Sequence, residues 1–259
     1  MSEKIIEVKH MTKIYNPETR HATTALHDIS LVVKKGEFVC IMGTSGSGKT
    51  TLLNNLSTID TPTKGEVYIN GKNVNHMSES DLCKFRTNVL GFIFQNYNVI
   101  DTLTIYENIR IPLLIKKETD FDEKIDRILK QLDIEEIKNK YPYECSGGQV
   151  QRVAIARALV SEPSIIVADE PTGNLDSHNS FELLELLKKL NQEGISILMV
   201  THDSFVASYS SKLLFLKDGE ISDIIERENM SQNEYYDTIE SKNLLEIKKI
   251  YFNKKNEGN

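Results

Sequence analysis

Between Gly43 and Thr50 the chain reads Gly-Thr-Ser-Gly-Ser-Gly-Lys-Thr, which fits the spacing G-x-x-x-x-G-K-[ST]. The apolar run Glu37–Met42 precedes it, and a helical pattern with Leu52, Leu53 and Leu56 on one face follows. Each residue type has a physical task in that setting. Gly43, Gly46 and Gly48 let backbone N–H groups curl around phosphate oxygens with no Cβ in the way. The helix that follows turns its positive end toward the same anion. Thr44, Ser45 and Ser47 complete the loop. Lys49 reaches toward β- and γ-phosphates, Thr50 offers a hydroxyl to Mg²⁺, and Thr51 closes the phosphate-binding set. The bland alternative is a Gly/Ser-rich turn with a solvated lysine.

A second constellation, Ile165-Ile-Val-Ala-Asp-Glu170, is a buried-looking strand ending in adjacent carboxylates. At a strand end the chain turns, so both acids can reach one cleft. Asp169 would hold Mg²⁺ through water, and Glu170 would polarise an attacking water. A strand terminus capped by acids is the alternative; the phosphate loop earlier in the chain tips the balance toward chemistry. A third, Cys145-Ser-Gly-Gly-Gln149, sits directly before the helical stretch Val150–Val160. Two glycines at a helix start again offer backbone donors to an anion. One nucleotide needs only one phosphate loop, so this second anion site points to a nucleotide held by another copy.

Taken in order, Tyr15, Gly43–Thr50, Gln95, Cys145–Gln149, Asp169-Glu170, Asn174–Asp176 and His202 resemble the nucleotide-binding subunit of an ATP-binding-cassette (ABC) transporter, over about residues 4 to 225. The resemblance implies an α/β fold: a P-loop NTPase (RecA-like) core with an N-terminal antiparallel β-subdomain and an inserted α-helical subdomain at about 96–160. It implies an ATPase domain over 1–225 and a C-terminal extension over 226–259. It implies ATP and Mg²⁺ as ligands. Tyr15 would stack on adenine, and Gln95 would touch Mg²⁺ and the attacking water. Ser146, Gly147, Gly148 and Gln149 would close on the γ-phosphate of the opposite subunit, Asp176 would lie at the dimer seam, and His202 would contact the γ-phosphate and orient Glu170. Plainer readings remain beside these: an edge-strand aromatic for Tyr15, a polar loop residue for Gln95, a helix-cap segment for His202. Where the family has leucine, this chain has Cys145. A small hydrophobe there predicts weakened packing at most, with sensitivity to thiol reagents.

Flanking words narrow the resemblance. Ser57–Glu66, Gly91–Asn98 with Leu103-Thr104, and Ala168–Ser177 are similar to the branch of macrolide exporters and lipoprotein-releasing ATPases. Asp101–Ile109, Lys140–Pro142, Ala207–Tyr209 and the extension with Tyr235-Tyr236 are most similar to the bacitracin-export, peptide-antibiotic-resistance group. Those are bacterial systems in which an ATPase pair drives a large membrane permease that signals to a sensor kinase. The implied partners are therefore a second copy of the chain, a permease and, through it, the kinase. Rival classes are disfavoured on the residues. A soluble ABC ATPase of translation or repair carries two cassettes or a long coiled coil; a non-hydrolysing module would not keep Lys49, Glu170 and His202; a kinase or GTPase leaves Cys145–Gln149 unexplained.

These residues need elements to hold them. In 259 residues, 39% hydrophobic and 27% charged, one large domain with an insertion can bury a core. The net charge of −7 argues against a nucleic-acid partner. No apolar run approaches the roughly 20 residues that cross a bilayer. No signal peptide is evident after Met-Ser-Glu-Lys, and three scattered cysteines suit a reducing compartment. The expectation is a cytoplasmic chain, peripheral on the membrane through its permease. Strands are predicted at Ile5–Val8, Ile29–Val33, Glu37–Met42, Glu66–Ile69, Ile165–Ala168 and Ile195–Val200, with a hairpin at Asp218-Gly219. Helical periodicity runs from about Asp120 to Lys140, over Val150–Val160 and over Phe181–Leu190. Exposed-looking apolar residues lie between the Gln95 loop and about Leu114, a candidate permease contact. Past Glu226, Tyr235, Tyr236, Ile239, Leu244 and Leu245 keep partly helical spacing and are expected to pack on the outer face; the end, from Asn253, is expected to fray.

Overall fold

Alternating burial builds the first sheet. The computed structural model describes residues 3–253. Strand β1 (Lys4–Tyr15) pairs antiparallel with β2 (Thr23–Lys34) on one side and with β4 (Lys64–Ile69) on the other, and β5 (Lys72–Asn73) closes the order β2-β1-β4-β5. Ile6, Val8, Met11, Leu26, Val33, Val67 and Ile69 face inward, fully buried.

The second sheet contains β3 (Phe38–Met42), β6 (Leu90–Phe94), β7 (Ile165–Asp169), β8 (Ser196–Thr201), β9 (Lys212–Lys217) and β10 (Glu220–Glu226), in the order β10-β9-β3-β8-β7-β6. Its inner strands β3, β7, β8 and β9 are near-continuous apolar runs, as parallel strands covered on both faces require, while its edge strand β10 alternates between exposed and half-buried residues. All pairs are parallel except the β9–β10 hairpin. Period-two alternation splits β3 between two cores: Phe38, Cys40 and Met42 pack on one face, Val39 and Ile41 on the other. The first core holds α3 (Ile105–Lys116), α4 (Asp122–Gln131), α5 (Gly147–Leu159), α6 (Ser177–Gln192) and the short α7 (Ser204–Ala207). The second lies between the two sheets with α1 (Lys49–Leu56) and α2 (Glu79–Val89). Helices α3, α4 and α5 all fall between β6 and β7 in the chain. No helix among the described residues is long and apolar enough to cross a membrane.

The architecture is the expected α/β class, with differences in detail that have local causes. The periodicity from Asp120 to Lys140 is not one helix. It ends at Gln131, Asp133 turns left-handed at φ 56°, and a 3-10 turn over Glu135–Ile137 continues to bury Ile134 and Ile137. Helix α5 starts at Gly147, before Val150, because Ser146 caps it: the Ser146 hydroxyl accepts from the Gln149 N–H at 3.3 Å, and the Gln149 side chain accepts from the Ser146 N–H at 3.0 Å. Helix α6 starts at Ser177, four residues ahead of Phe181, on an Asp176 cap. The apolar stretch up to Leu114 is mixed: Ile105, Ile109 and Leu113 are core, whereas Ile100 and Leu114 are exposed.

Beyond Glu226 the chain forms α8 (Gln232–Asn253); past Asn253, the expected fraying lies outside the described residues. Tyr235 and Ile239 are fully buried in the first core, more deeply than packing on an outer face implies, while Leu244 and Leu245 stay exposed. The Tyr235 hydroxyl donates to the Ile225 carbonyl at 3.1 Å, and burial pushes its pKa up to about 12. Unfolded tyrosine titrates near 10. A phenol that keeps its proton longer in the folded chain contributes stability that is whole below about pH 10 and lost as pH climbs toward 12. Tyr235→Phe should therefore cost about 1 kcal/mol at neutral pH and flatten the alkaline decline, read from urea midpoints on either side of pH 10. Tyr235→Ala should cost about 3–5 kcal/mol.

Candidate nucleotide site

Strand register places the candidate residues in a row. Met42 pairs with Thr201, Val200 with Asp169, and Asp169 with Phe94. The next residues along β3, β8, β7 and β6 are Gly43, His202, Glu170 and Gln95. At about 4.8 Å per strand, the row from Gly43 to Gln95 spans roughly 14 Å across the carboxyl edge of the sheet, where open α/β sheets bind ligands.

At one end of the row, the loop Gly43–Gly48 leads into α1. Gly48 caps the helix at φ 101°, a conformation that strains any residue with a Cβ. The Ser47 carbonyl accepts from Gly219 N–H at 3.1 Å, so the β9–β10 turn braces the loop from behind. Ser47 Oγ is buried and unpartnered, a hydroxyl aimed into a loop built to meet oxygen acceptors. Lys49 Nζ donates to the Gly43 and Thr44 carbonyls at 2.9 and 3.0 Å. Burial pulls the Lys49 ammonium below its usual range, opposed by the nearby Glu170 and Asp169 carboxylates. Burial likewise pushes Asp169 up, Glu170 adds to that, and Lys49 opposes it. Lys49, Asp169 and Glu170 thus form one electrostatic group. Thr50 is exposed on the first turn of α1, next to Lys49 in the chain.

Glu170 sits just past β7 at φ 44°, left-handed and strained for a residue with a Cβ. Its N–H donates to the Val200 carbonyl at 3.0 Å and its carbonyl accepts from Gly173 N–H at 3.0 Å, so backbone bonds on both sides hold the strained turn. His202 Nδ1 lies 3.0 Å from Glu170 Oε2. Asp203 caps α7 immediately after, which fixes where His202 emerges.

The Gln95 loop is tied down from two sides. Asn174 Nδ2 donates to the Gln95 carbonyl at 2.8 Å and to Asn96 Oδ1 at 3.0 Å, and the Tyr97 hydroxyl donates back to the Asn174 carbonyl at 3.3 Å. A Cβ on Gly173 would stand 2.5 Å from Gln95 Nε2, so only glycine lets that amide lie against the backbone. From α5, the Arg157 guanidinium donates to the Asn98 carbonyl and, at 2.8 Å, to that of Tyr97. The Arg157 clamp was not legible as a functional residue in the sequence, and Asn174, read there as part of Asn174–Asp176, gave no sign of its bridge; their partners lie about sixty and eighty residues away.

Tyr15 ends β1 beside the phosphate loop, its hydroxyl donating to Asp60 Oδ2 at 3.1 Å and lying 3.4 Å from Thr51 Oγ1. Lys13 covers one side of its ring at 5.0 Å from the centroid. Ser146, Gly147, Gly148 and Gln149 stand apart from this group. Among the described residues no hydrogen bond or ion pair joins them to residues 43–51. The Asp176 carboxylate accepts from the Asn179 backbone at 2.8 Å and side chain at 2.7 Å, bonds that hold it below the usual carboxylate range. Cys145 is half-buried on the first core, its thiol donating to the Tyr141 carbonyl at 3.4 Å, and burial pushes that thiol up. A raised thiol is less often in the thiolate form that thiol reagents attack.

Comparison with known proteins places this geometry. The ABC transporter family model matches residues 26–173. The chain is 48% identical over 226 residues to the ABC transporter ATP-binding protein YxdL of Bacillus subtilis, covering 86% of this chain and 87% of that protein. It is 47% identical over 238 residues to the bacitracin export ATP-binding protein BceA of Halalkalibacterium halodurans, covering 91% and 94%. Among solved structures, the dimeric post-hydrolysis form of the cassette MJ0796 of Methanocaldococcus jannaschii, bound to ADP and Pi, superposes with a TM-score of 0.78 at 41% identity, covering 85% of this chain and 98% of that one.

The clamp on the Gln95 loop yields an expectation. Arg157→Met keeps the apolar stem but removes two charge-assisted bonds, each worth roughly 1.5–3 kcal/mol. Native-state hydrogen exchange at residues 97–99 should accelerate at least about tenfold, while the global unfolding midpoint shifts far less.

Proposed function

The chain belongs to the ABC transporter family of ATP-binding proteins and is an ATPase of that family; from that premise we propose that it powers a bacterial membrane permease conferring resistance to peptide antibiotics such as bacitracin or lantibiotics. The 47% identity to a bacitracin-export subunit, over nearly the whole of both chains, carries the substrate reading. The observation that carries the mechanism is the row of strand ends with Glu170 and His202 in contact and Lys49 in the same charge group.

In this reading the backbone and Ser47 hydroxyl of the loop take the phosphates of ATP, and Lys49 neutralises charge that grows on the β- and γ-phosphates during transfer. Glu170 accepts a proton from the attacking water, and His202, hydrogen-bonded to it, sets the direction in which its carboxylate points. Tyr15 stacks on adenine with the ring face away from Lys13. The Thr50 hydroxyl, the Asp169 carboxylate and the Gln95 amide are hard oxygen donors that suit Mg²⁺, an ion that keeps several waters and needs few protein ligands. When bound there it would neutralise phosphate charge.

Because Ser146–Gln149 stand apart from the phosphate loop, the closed site takes them from a second copy, with Asp176 near the seam. ATP then bridges two chains, and hydrolysis removes the bridge; the cycle is a ligand-driven population shift. A groove of about 440 Å³ lies beside the Gln95 loop, lined by Phe92, Phe94, Ile100, Ile111 and Ile115 with Arg86 and Arg157 on its walls. Its exposed apolar residues suit a permease segment, through which the chain would sit at the membrane and, by way of the permease, reach a sensor kinase.

Glu170→Gln should lower ATP turnover by about 10²–10⁴-fold and run as an ATP-dependent dimer on size-exclusion chromatography; an inert, monomeric wild-type chain under every condition would count against the shared site. Ile115→Glu should leave turnover of the isolated chain intact and abolish co-purification with the permease.

A further inference from the structure

Just ahead of the α5 cap, residues Pro142–Glu144 form one 3-10 turn. The Glu144 carboxylate accepts from Tyr141 N–H at 2.8 Å, and the Tyr141 carbonyl accepts from Glu144 N–H at 3.0 Å. This closed turn stacks the Tyr141 and Tyr143 rings, centroids 5.4 Å apart and 7° from parallel. Tyr143 nevertheless remains 74% exposed, the highest among the large exposed apolar and aromatic side chains described, and its hydroxyl makes no hydrogen bond among the described residues. A rigidly held aromatic ring with its outer face in water is prepared for a planar ligand, since little further ordering is needed to bind one.

Its position narrows the ligand. Cys145 and Ser146 are extended, at φ −112°, ψ 153° and φ −70°, ψ 158°, so Tyr143 stands up to about 10 Å along the chain from Ser146. On the reading above, on which this inference rests, Ser146 meets the γ-phosphate of ATP held by the second copy. The triphosphate and ribose separate that phosphate from adenine by a comparable length. We propose that Tyr143 supplies, in trans, a second aromatic wall of the adenine site. In the closed dimer its free face stacks on the base of the bound ATP, while the partner's Tyr15 covers the other face. Tyr141 backs the ring and holds its plane.

The test uses the full-length chain with Glu170→Gln as parent, in ATP and Mg²⁺. Adding Tyr143→Ala should raise the protein concentration for half-dimerisation by about tenfold or more, because stacking is lost at both sites, and leave the affinity of the single chain for ADP unchanged. Tyr143→Phe should dimerise like the parent. Tyr15→Ala should weaken ADP binding to the single chain as well, separating the wall in cis from the wall in trans. Intact ADP binding by the Tyr143→Ala chain shows that it is folded. Dimerisation of Tyr143→Ala at the parent's concentration overturns the proposal, including where only permease-stimulated turnover falls, which would assign the ring to the permease. If the parent itself never dimerises in ATP, the shared-site reading fails and this proposal falls with it; a loss confined to Tyr143→Ala tests the ring alone.

Discussion

The register of four parallel strands is the constraint on which everything else rests. β3 and β8 end level with each other at Met42 and Thr201, and β7 and β6 end level at Asp169 and Phe94, one residue earlier against Val200 of β8; a slip of one residue at any pair would turn a core side chain into the cleft and a cleft side chain into the core. Such a slip is expensive here because β3 and β8 are buried on both faces along their whole length. The apolar strands therefore do more than fill the interior. They act as rulers that set Gly43, His202, Glu170 and Gln95 a strand spacing apart, and the loops need only supply the chemistry.

Around that edge, the Gln95 loop is joined to α5 and to the segment ahead of α6. Arg157 on α5 holds the Gln95 loop by two carbonyls, and Asn174 holds the same loop from the segment that leads to the α6 cap. A displacement of α5 has to carry the loop with it or break charge-assisted bonds in a half-buried setting. The helices between β6 and β7 share the first core with the sheet, so a displacement of them has to rearrange that shared packing.

Much of this was visible in the chain itself, for physical reasons. Motifs at strand ends announce themselves because glycine, carboxylate and lysine interrupt apolar runs at fixed offsets. The elements that escaped notice lack such contrast. In α3, Pro112 and the buried Asn108 break the pattern, and Asn108 is tolerated because its side chain bonds the Ile100 N–H and the Ile100 and Leu103 carbonyls. Strand β6, Leu-Gly-Phe-Ile-Phe, reads as part of an apolar run broken by polar residues. Helix α2 buries only Leu82, Phe85 and Val89, a narrow stripe. Conversely, the periodicity past Gln131 was real as burial but false as helix, since a 3-10 turn delivers Ile134 and Ile137 to the same core. The start of α5 was hidden by Gly147 and Gly148, poor helix formers that the Ser146–Gln149 cap makes acceptable.

The backbone of Glu170 has a consequence for how this fold can drift. A left-handed conformation costs a glutamate of order 1 kcal/mol that glycine does not bear and asparagine bears less. At that position the residue the chain would fold best with is not the residue the proposed chemistry needs. Under selection for thermal robustness alone the position would move toward Gly or Asn, and a chain engineered for stability by backbone preference would be drawn to replace Glu170, the group proposed to activate water.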